Sequence, residues 1–327
     1  MRKGVYYIFV LPMILLTACG DDDSNHELLD YGEVVVKDDG TTSDGSVFSV
    51  IDDQHFYLDY IKYTLLTDST LSVSDYDKNN FYFDTKIASK VVYKGNTYKT
   101  LYIRANAFYN CLYLRNITIP KDIKRINDRA FSGCVKLESI SIPDSVVYIG
   151  ESVFYGCSGL KSIFVNPGNK IYDSRHNCNA IIKKEEISIG IDNLPITGSK
   201  LVTGCKNTII PPDVRFIGNS AFGGCTGLTS IDIPTNVVHI GSYAFSGCTG
   251  LEKVVLPKKL TKIGASAFKN CISLTSIHLE SDTPLEINTP IFDNDIYSRA
   301  TLYVPVGSLE LYKQTAPWKW FEKIVEE

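Results

Sequence analysis

Leu137-Glu138-Ser139-Ile140-Ser141-Ile142-Pro143-Asp144-Ser145-Val146-Val147-Tyr148-Ile149-Gly150-Glu151-Ser152-Val153-Phe154-Tyr155-Gly156-Cys157-Ser158-Gly159-Leu160 is one turn of a pattern that the chain writes several times. Its most regular part, Ala-Phe-x-x-Cys or a near copy, places Phe108, Phe131 and Phe154 in one block and Phe222, Phe245 and Phe268 in another, with a period of 23 residues in each. A unit of this size cannot bury its own apolar face, so successive units must stack into a solenoid with one continuous core. Function is then to be sought on a repeated surface.

The columns of the repeat predict its parts. Ile117-Thr118-Ile119, Ile140-Ser141-Ile142, Ile163-Phe164-Val165, Ile231-Asp232-Ile233, Val254-Val255-Leu256 and Ile277-His278-Leu279 alternate as short strands do. With Thr208-Ile209-Ile210 and Leu302-Tyr303-Val304 they predict eight rungs of one parallel sheet. Pro120, Pro143, Pro211, Pro234, Pro257 and Pro305 follow these triplets and end them, having no amide to donate. A second apolar pair, such as Val146 and Ile149, precedes the Ala-Phe turn. Only Gly or Asn stands before each repeat cysteine (Asn110, Gly133, Gly156, Gly224, Gly247, Asn270), which predicts a left-handed cap closing a single helical turn. The phenylalanines are expected as core filling. The fold class expected is an α/β repeat solenoid, mostly β, with parallel strands and short helical turns.

The 327 residues are 44% hydrophobic, enough for a large core, and the net charge of −4 offers no basic field for nucleic acid. Arg2 and Lys3 precede an apolar run, Val5 to Leu16, too short to span a bilayer, and Thr17 and Ala18 precede Cys19. Leu16-Thr17-Ala18-Cys19 resembles a bacterial lipobox, which implies cleavage before Cys19 and lipidation of that cysteine as a membrane anchor; the plain alternative is an ordinary secretory peptide. Asp21, Asp22 and Asp23 read as a solvated tether rather than a metal cluster, and resemble the acidic export signal of Bacteroidetes-type lipoproteins. That resemblance implies the outer leaflet of the outer membrane, at the cell surface.

The columns Leu-x-x-Ile-x-Ile-Pro and Ile-Gly-x-x-Ala-Phe-x-x-Cys resemble the BspA-like leucine-rich repeat family of bacterial surface proteins, over about residues 100 to 327. The resemblance implies a right-handed leucine-rich-repeat solenoid. It also implies a β-rich amino-terminal cap that includes Val91 to Tyr98, and a closing segment built on Leu302 to Pro305, Tyr312 and Trp318 to Phe321. The expected organisation is a signal peptide at 1–18, an acidic flexible tether at 19–53, the cap at 54–100, repeats at 101–300 and the carboxy-terminal cap at 301–327. Residues 166–206 depart from the pattern, having no Ala-Phe, and read as irregular hairpins with Ala180-Ile181-Ile182 and Lys200-Leu201-Val202 as strands and Asn193-Leu194-Pro195 in a loop.

Cys111, Cys134, Cys157, Cys225, Cys248 and Cys271 share one column and are expected as a buried ladder of small apolar groups with free thiols, because stacked side chains point in parallel. Cys178 and Cys205 flank the insert and are candidates for one disulfide or for two free thiols. A cysteine-dependent enzyme would use Cys178 with His176, side by side on one strand face, but no oxyanion or orienting motif accompanies them. The other histidines show no metal-ligand spacing, and no motif calls for a cofactor. The expectation is a protein that is not an enzyme.

The outward strand column reads Thr118, Ser141, Phe164, Ile209, Asp232, Val255, His278 and Tyr303. Four large apolar or aromatic members make it a candidate binding face, carried by Phe164, Ile209, Asp232, Val255, His278 and Tyr303, unless loops or the insert cover it. The leading reading is a surface-anchored protein that holds a host or bacterial surface protein along this face; the family resemblance implies adhesion to host matrix or to other cells. The alternative is a glycan-capturing lipoprotein for polysaccharide uptake, for which exposed aromatic platforms are expected. Trp318 and Trp320 do not supply them, being explained by packing in the closing segment.

Overall fold

The structure, a computed structural model, describes residues 33–79, 83–189 and 195–327. The lipidation site Cys19, the acidic run after it and the loop residues Asn193 and Leu194 lie outside them.

The amino-terminal cap is a sheet whose strands, in spatial order, are Val34–Val35, Lys90–Tyr93, Asn96–Ile103, Thr70–Tyr76, Ile61–Thr67, His55–Leu58 and Phe48–Val50. The tether expected over residues 19–53 therefore does not take in Val34 to Val50: Val34 pairs with Val91, Val34 and Val36 are buried, and Phe48 to Val50 pair with Phe56 to Leu58. Val-rich and Phe-containing segments here bury apolar surface that a solvated tether would leave in water. Phe56 and Tyr63 stack beneath the sheet, and the Tyr63 hydroxyl accepts the Ala88 amide at 3.0 Å.

Three strips run along the solenoid. The first holds the Ile-x-Ile strands. Asp84–Lys86 pairs with Asn116–Thr118, and Ser139–Ile142 with Ser162–Val165. Beyond the insert, Lys253–Leu256, Ser276–Leu279, Thr301–Val304 and Lys323–Glu326 form a four-stranded parallel sheet. Residues 208–210 and 231–233 occupy rungs but form no ladder, so the expected single sheet is broken, while Asp84–Lys86 and Lys323–Glu326 add a rung at each end.

The second strip is a run of short strands in which Tyr102, Arg125 and Tyr148 are in parallel register, as are Phe216, His239 and Lys262. Between these runs the insert adds Tyr172–Asp173 and an antiparallel hairpin of Ala180–Ile189 and Pro195–Gly204. The third strip, the Ala-Phe-x-x-Cys turns, gains nothing from the insert: Gly156 donates directly to the Gly223 carbonyl at 2.8 Å. Three strands are thus added on one side of the coil and none on another. Residues 208–210 and 231–233, which lack ladder bonds, belong to the two coils that follow this uneven addition.

The third strip corrects the expectation of a helical turn in each repeat. The amides of Ala130, Ser132 and Cys134 donate to carbonyls three residues back, while those of Arg129, Phe131 and Gly133 donate to Glu151, Val153 and Tyr155 on the next coil. Local turns and inter-coil bonds alternate. The Gly/Asn column has positive φ as expected (Asn110 56°, Gly133 79°, Gly247 75°), but so does a second column four residues earlier, with Arg129 at 54° and Tyr243 at 57°. A left-handed residue every fourth position prevents helix propagation. The short α-helices, Ile296–Arg299 and Leu309–Tyr312, lie outside this strip.

Inside, the phenylalanines form two stacks. Phe108, Phe131 and Phe154 lie 5.2 and 5.5 Å apart with planes 4° from parallel; Phe222, Phe245 and Phe268 lie 5.1 and 5.2 Å apart. Tyr76 of the cap extends the first stack and Phe292 the second. Trp318 is buried and its Nε1 donates to the Leu285 carbonyl at 2.8 Å, closing the carboxy-terminal end. Trp320, by contrast, is half exposed, its ring edge-on to Tyr297.

Candidate functional site

The outward row of the first strip is assembled in two pieces. Ser141 and Phe164 are aligned in one; Val255, His278 and Tyr303 are aligned in the other, followed by Val325. His278 and Tyr303 stack face to face, 4.3 Å apart and 5° from parallel. The imidazole is held from both sides, by the Ser276 hydroxyl at 2.7 Å and by the carboxylate of Glu327. Between the pieces, Ile209 and Asp232 are exposed on rungs without ladder bonds. Phe164 is 40% and Ile209 74% exposed, whereas Val255, His278 and Tyr303 are half-buried. Thr118 also stands on this side of its strand, half-buried.

The cysteine column is buried among apolar side chains as expected, and four of its thiols also form a hydrogen-bond ladder. Cys134, Cys157, Cys248 and Cys271 donate their thiols to the carbonyls of Phe108, Phe131, Phe222 and Phe245 on the preceding coil, at 3.1 to 3.2 Å. Each of these carbonyls already accepts an amide of its own turn, as Phe108 does from Cys111, so the thiol adds a second, weak donor from the next coil. Burial pushes the Cys111 thiol up to about 11 and those of Cys225 and Cys271 up to about 12.

Cys178 and Cys205 are both buried free thiols, so the clamp considered between them is not formed. They belong to different apolar clusters and face different carbonyls, Cys178 that of Ala180 and Cys205 that of Asn179. His176 and Cys178 do not share a strand face either. His176 is exposed in the turn Arg175–Asn177 at φ 58°, whereas Cys178 points inward and burial raises its pKa. A nucleophilic cysteine needs the opposite environment, polar and partly open. Iodoacetamide is accordingly expected to leave all eight thiols of the described residues unmodified in the native protein and to reach all eight after denaturation without reductant; fewer after denaturation would show a bridge.

The feature that sequence reading missed is the lean of the insert hairpin. Its outer half passes over the second strip, where Ser188 Oγ lies 3.0 Å from His239 Nδ1, and a cavity of about 320 Å³ remains beneath it. The strands were legible at Ala180 to Ile182 and Lys200 to Val202, but their full length and direction depend on contacts with a distant coil. Among the described residues, no group of His, Cys, Asp and Glu is placed to hold a metal ion, and no helix is long and apolar enough to cross a membrane.

With this geometry established, comparison with known proteins finds the family described as BspA type leucine rich repeat region, matched in six copies over residues 75–205 and 198–305. Among solved structures, the chain is similar to a leucine-rich cell surface protein from Faecalibacterium prausnitzii (15% identity, covering 84% of this chain and 95% of that one, TM-score 0.39). It is also similar to leucine-rich repeat proteins from Eubacterium ventriosum (17%, 80% and 78%, 0.45) and Bacteroides ovatus (19%, 85% and 76%, 0.42). No curated protein sequence matches it.

Proposed function

Since the chain belongs to the BspA-type leucine-rich repeat family, we propose that it is a non-enzymatic binding protein of the cell surface, holding a protein partner along the outward row of its first strip. The partner class is a host matrix protein or a protein on another cell. Cys19 carries the lipid that anchors it in the outer membrane, and the acidic residues after Cys19 send it to the outer leaflet.

The observation that supports this reading is the row itself. Phe164 and Ile209 stay in contact with water although the solenoid has apolar surface to cover elsewhere, and the Val255, His278 and Tyr303 side chains line up on successive rungs. His278 and Tyr303 are already ordered by their stack and by Ser276 and Glu327, so a partner meeting them loses little side-chain freedom. Aromatic and apolar anchors of this kind dominate protein interfaces.

The test is binding of the full chain to immobilised matrix proteins and to whole bacterial cells. For any partner so detected, the combined variant Phe164→Asp, Val255→Asp, Tyr303→Asp is expected to weaken binding at least about a hundredfold. Unchanged binding by this variant would remove the row from the interface.

A further inference from the structure

The insert hairpin is longer than the strand it joins. Val214–Ile217 pairs with it only at Ser199, Lys200 and Leu201, so the part from Glu186 outward has no strand beside it on that side. It leans instead over the next coils, held by the contact between Ser188 and His239. The cavity of about 320 Å³ beneath it is lined by Glu186, Ser188 and Lys200 from the hairpin and by Phe216, His239 and Lys262 from three successive coils. That volume is at the small end for ligand sites, about the scale of one ring-sized molecule.

The lining has a specific chemistry. Phe216 and His239, ring centroids 5.4 Å apart, are both buried in the cavity wall. Glu186 is already neutralised: Lys183 donates to one oxygen at 2.6 Å and Lys200 lies 3.4 Å from the other. Lys262, the Ser242 hydroxyl and His239 Nε2 have no partner among the described residues. Burial first, and then the positive charges of Lys262 and Arg215, push the His239 pKa down. An unpaired cation, two buried rings and several hydroxyl-bonding groups around a ring-sized space describe a site for a polar ring with one negative charge.

We propose that this cavity binds a single acidic sugar residue, its carboxylate facing Lys262 and its hydroxyls meeting Ser188, Ser242 and the Glu186–Lys200 pair. The site is on the second strip and shares no residue with the outward row of the first, so either reading can fail without the other. Only the hairpin makes it a cavity, because the same coils without an overhang present a plain outer strip.

The experiment follows the imidazole resonances of the full chain by NMR, with His239 assigned from a His239→Gln variant. D-galacturonate, D-galactose, acetate and L-glutamate are titrated separately. Galacturonate is expected to shift the His239 resonance in a saturable manner below about 50 mM, with galactose, acetate and glutamate each at least about tenfold weaker. Lys262→Ala, an exposed side chain whose loss leaves the coil intact, is expected to weaken galacturonate at least about fivefold. No saturable shift, equal affinity for acetate or glutamate, equal affinity for galactose, or an unaffected Lys262→Ala variant would each overturn the proposal.

Discussion

Phe245→Ala is expected to lower the unfolding free energy by about 3 to 5 kcal/mol, the largest single loss anticipated in the repeats. Phe245 is fully buried and sits in the middle of its stack, 5.1 Å from Phe222 on one side and 5.2 Å from Phe268 on the other. Truncation removes ring contacts on both faces, and each neighbour is fixed through inter-coil bonds, Phe222 N to Ala244 O and Phe268 N to Ile291 O. The cavity therefore cannot collapse. Urea unfolding followed by the fluorescence of Trp318 and Trp320, which report on the carboxy-terminal end, measures the effect. A loss below about 1 kcal/mol would mean that the rings do not carry the stacking energy assigned to them.

A second large effect is expected where the two blocks of coils meet. Gly224 and Gly247 occupy the same column with φ of 71° and 75°, so alanine strains both to a similar degree, about 1 to 2 kcal/mol. Their surroundings differ. A Cβ at Gly247 would lie 3.4 Å from the Gly224 Cα, a tight contact, but a Cβ at Gly224 would lie 2.6 Å from the Gly156 Cα and 2.8 Å from its nitrogen. Both blocking atoms are backbone and have no rotamer by which to move. Gly224→Ala is thus expected to cost about 1 to 3 kcal/mol more than Gly247→Ala, by overpacking at the joint that carries the bond from Gly156 to Gly223. Equal midpoints for the two variants would show that the blocks are farther apart at this corner than the structure has them.

The joint also shows how far the sequence can be read. The period of 23 residues, the inward isoleucines, the Phe stack and the left-handed Gly/Asn column were all legible, because each is repeated and each repetition answers the same local demand. The second left-handed column, at Arg129 and Tyr243, was hidden because its side chains differ from coil to coil; their backbone is set by hydrogen bonds on both sides and not by residue type. Phe292 was hidden for a related reason, since Pro290 and Ile291 replace the residues that mark the turn elsewhere while their carbonyls still accept from Ser266 and Phe268. The cysteine column was legible as buried but not as a set of donors, because the Phe carbonyls it serves belong to the preceding coil.

By itself the sequence determined what one coil is and that coils must stack: apolar side chains at fixed intervals leave no other way to remove them from water. It also placed the outward row, since alternation within a strand decides which side chains face away from the core. The tertiary structure alone decided how many rungs keep their ladder, that Gly156 meets Gly223 across the insert, and that the hairpin meets His239 beside an open-sided cavity. Those features depend on the unequal number of strands around the coil and on contacts between residues far apart in the chain, and no local pattern encodes either.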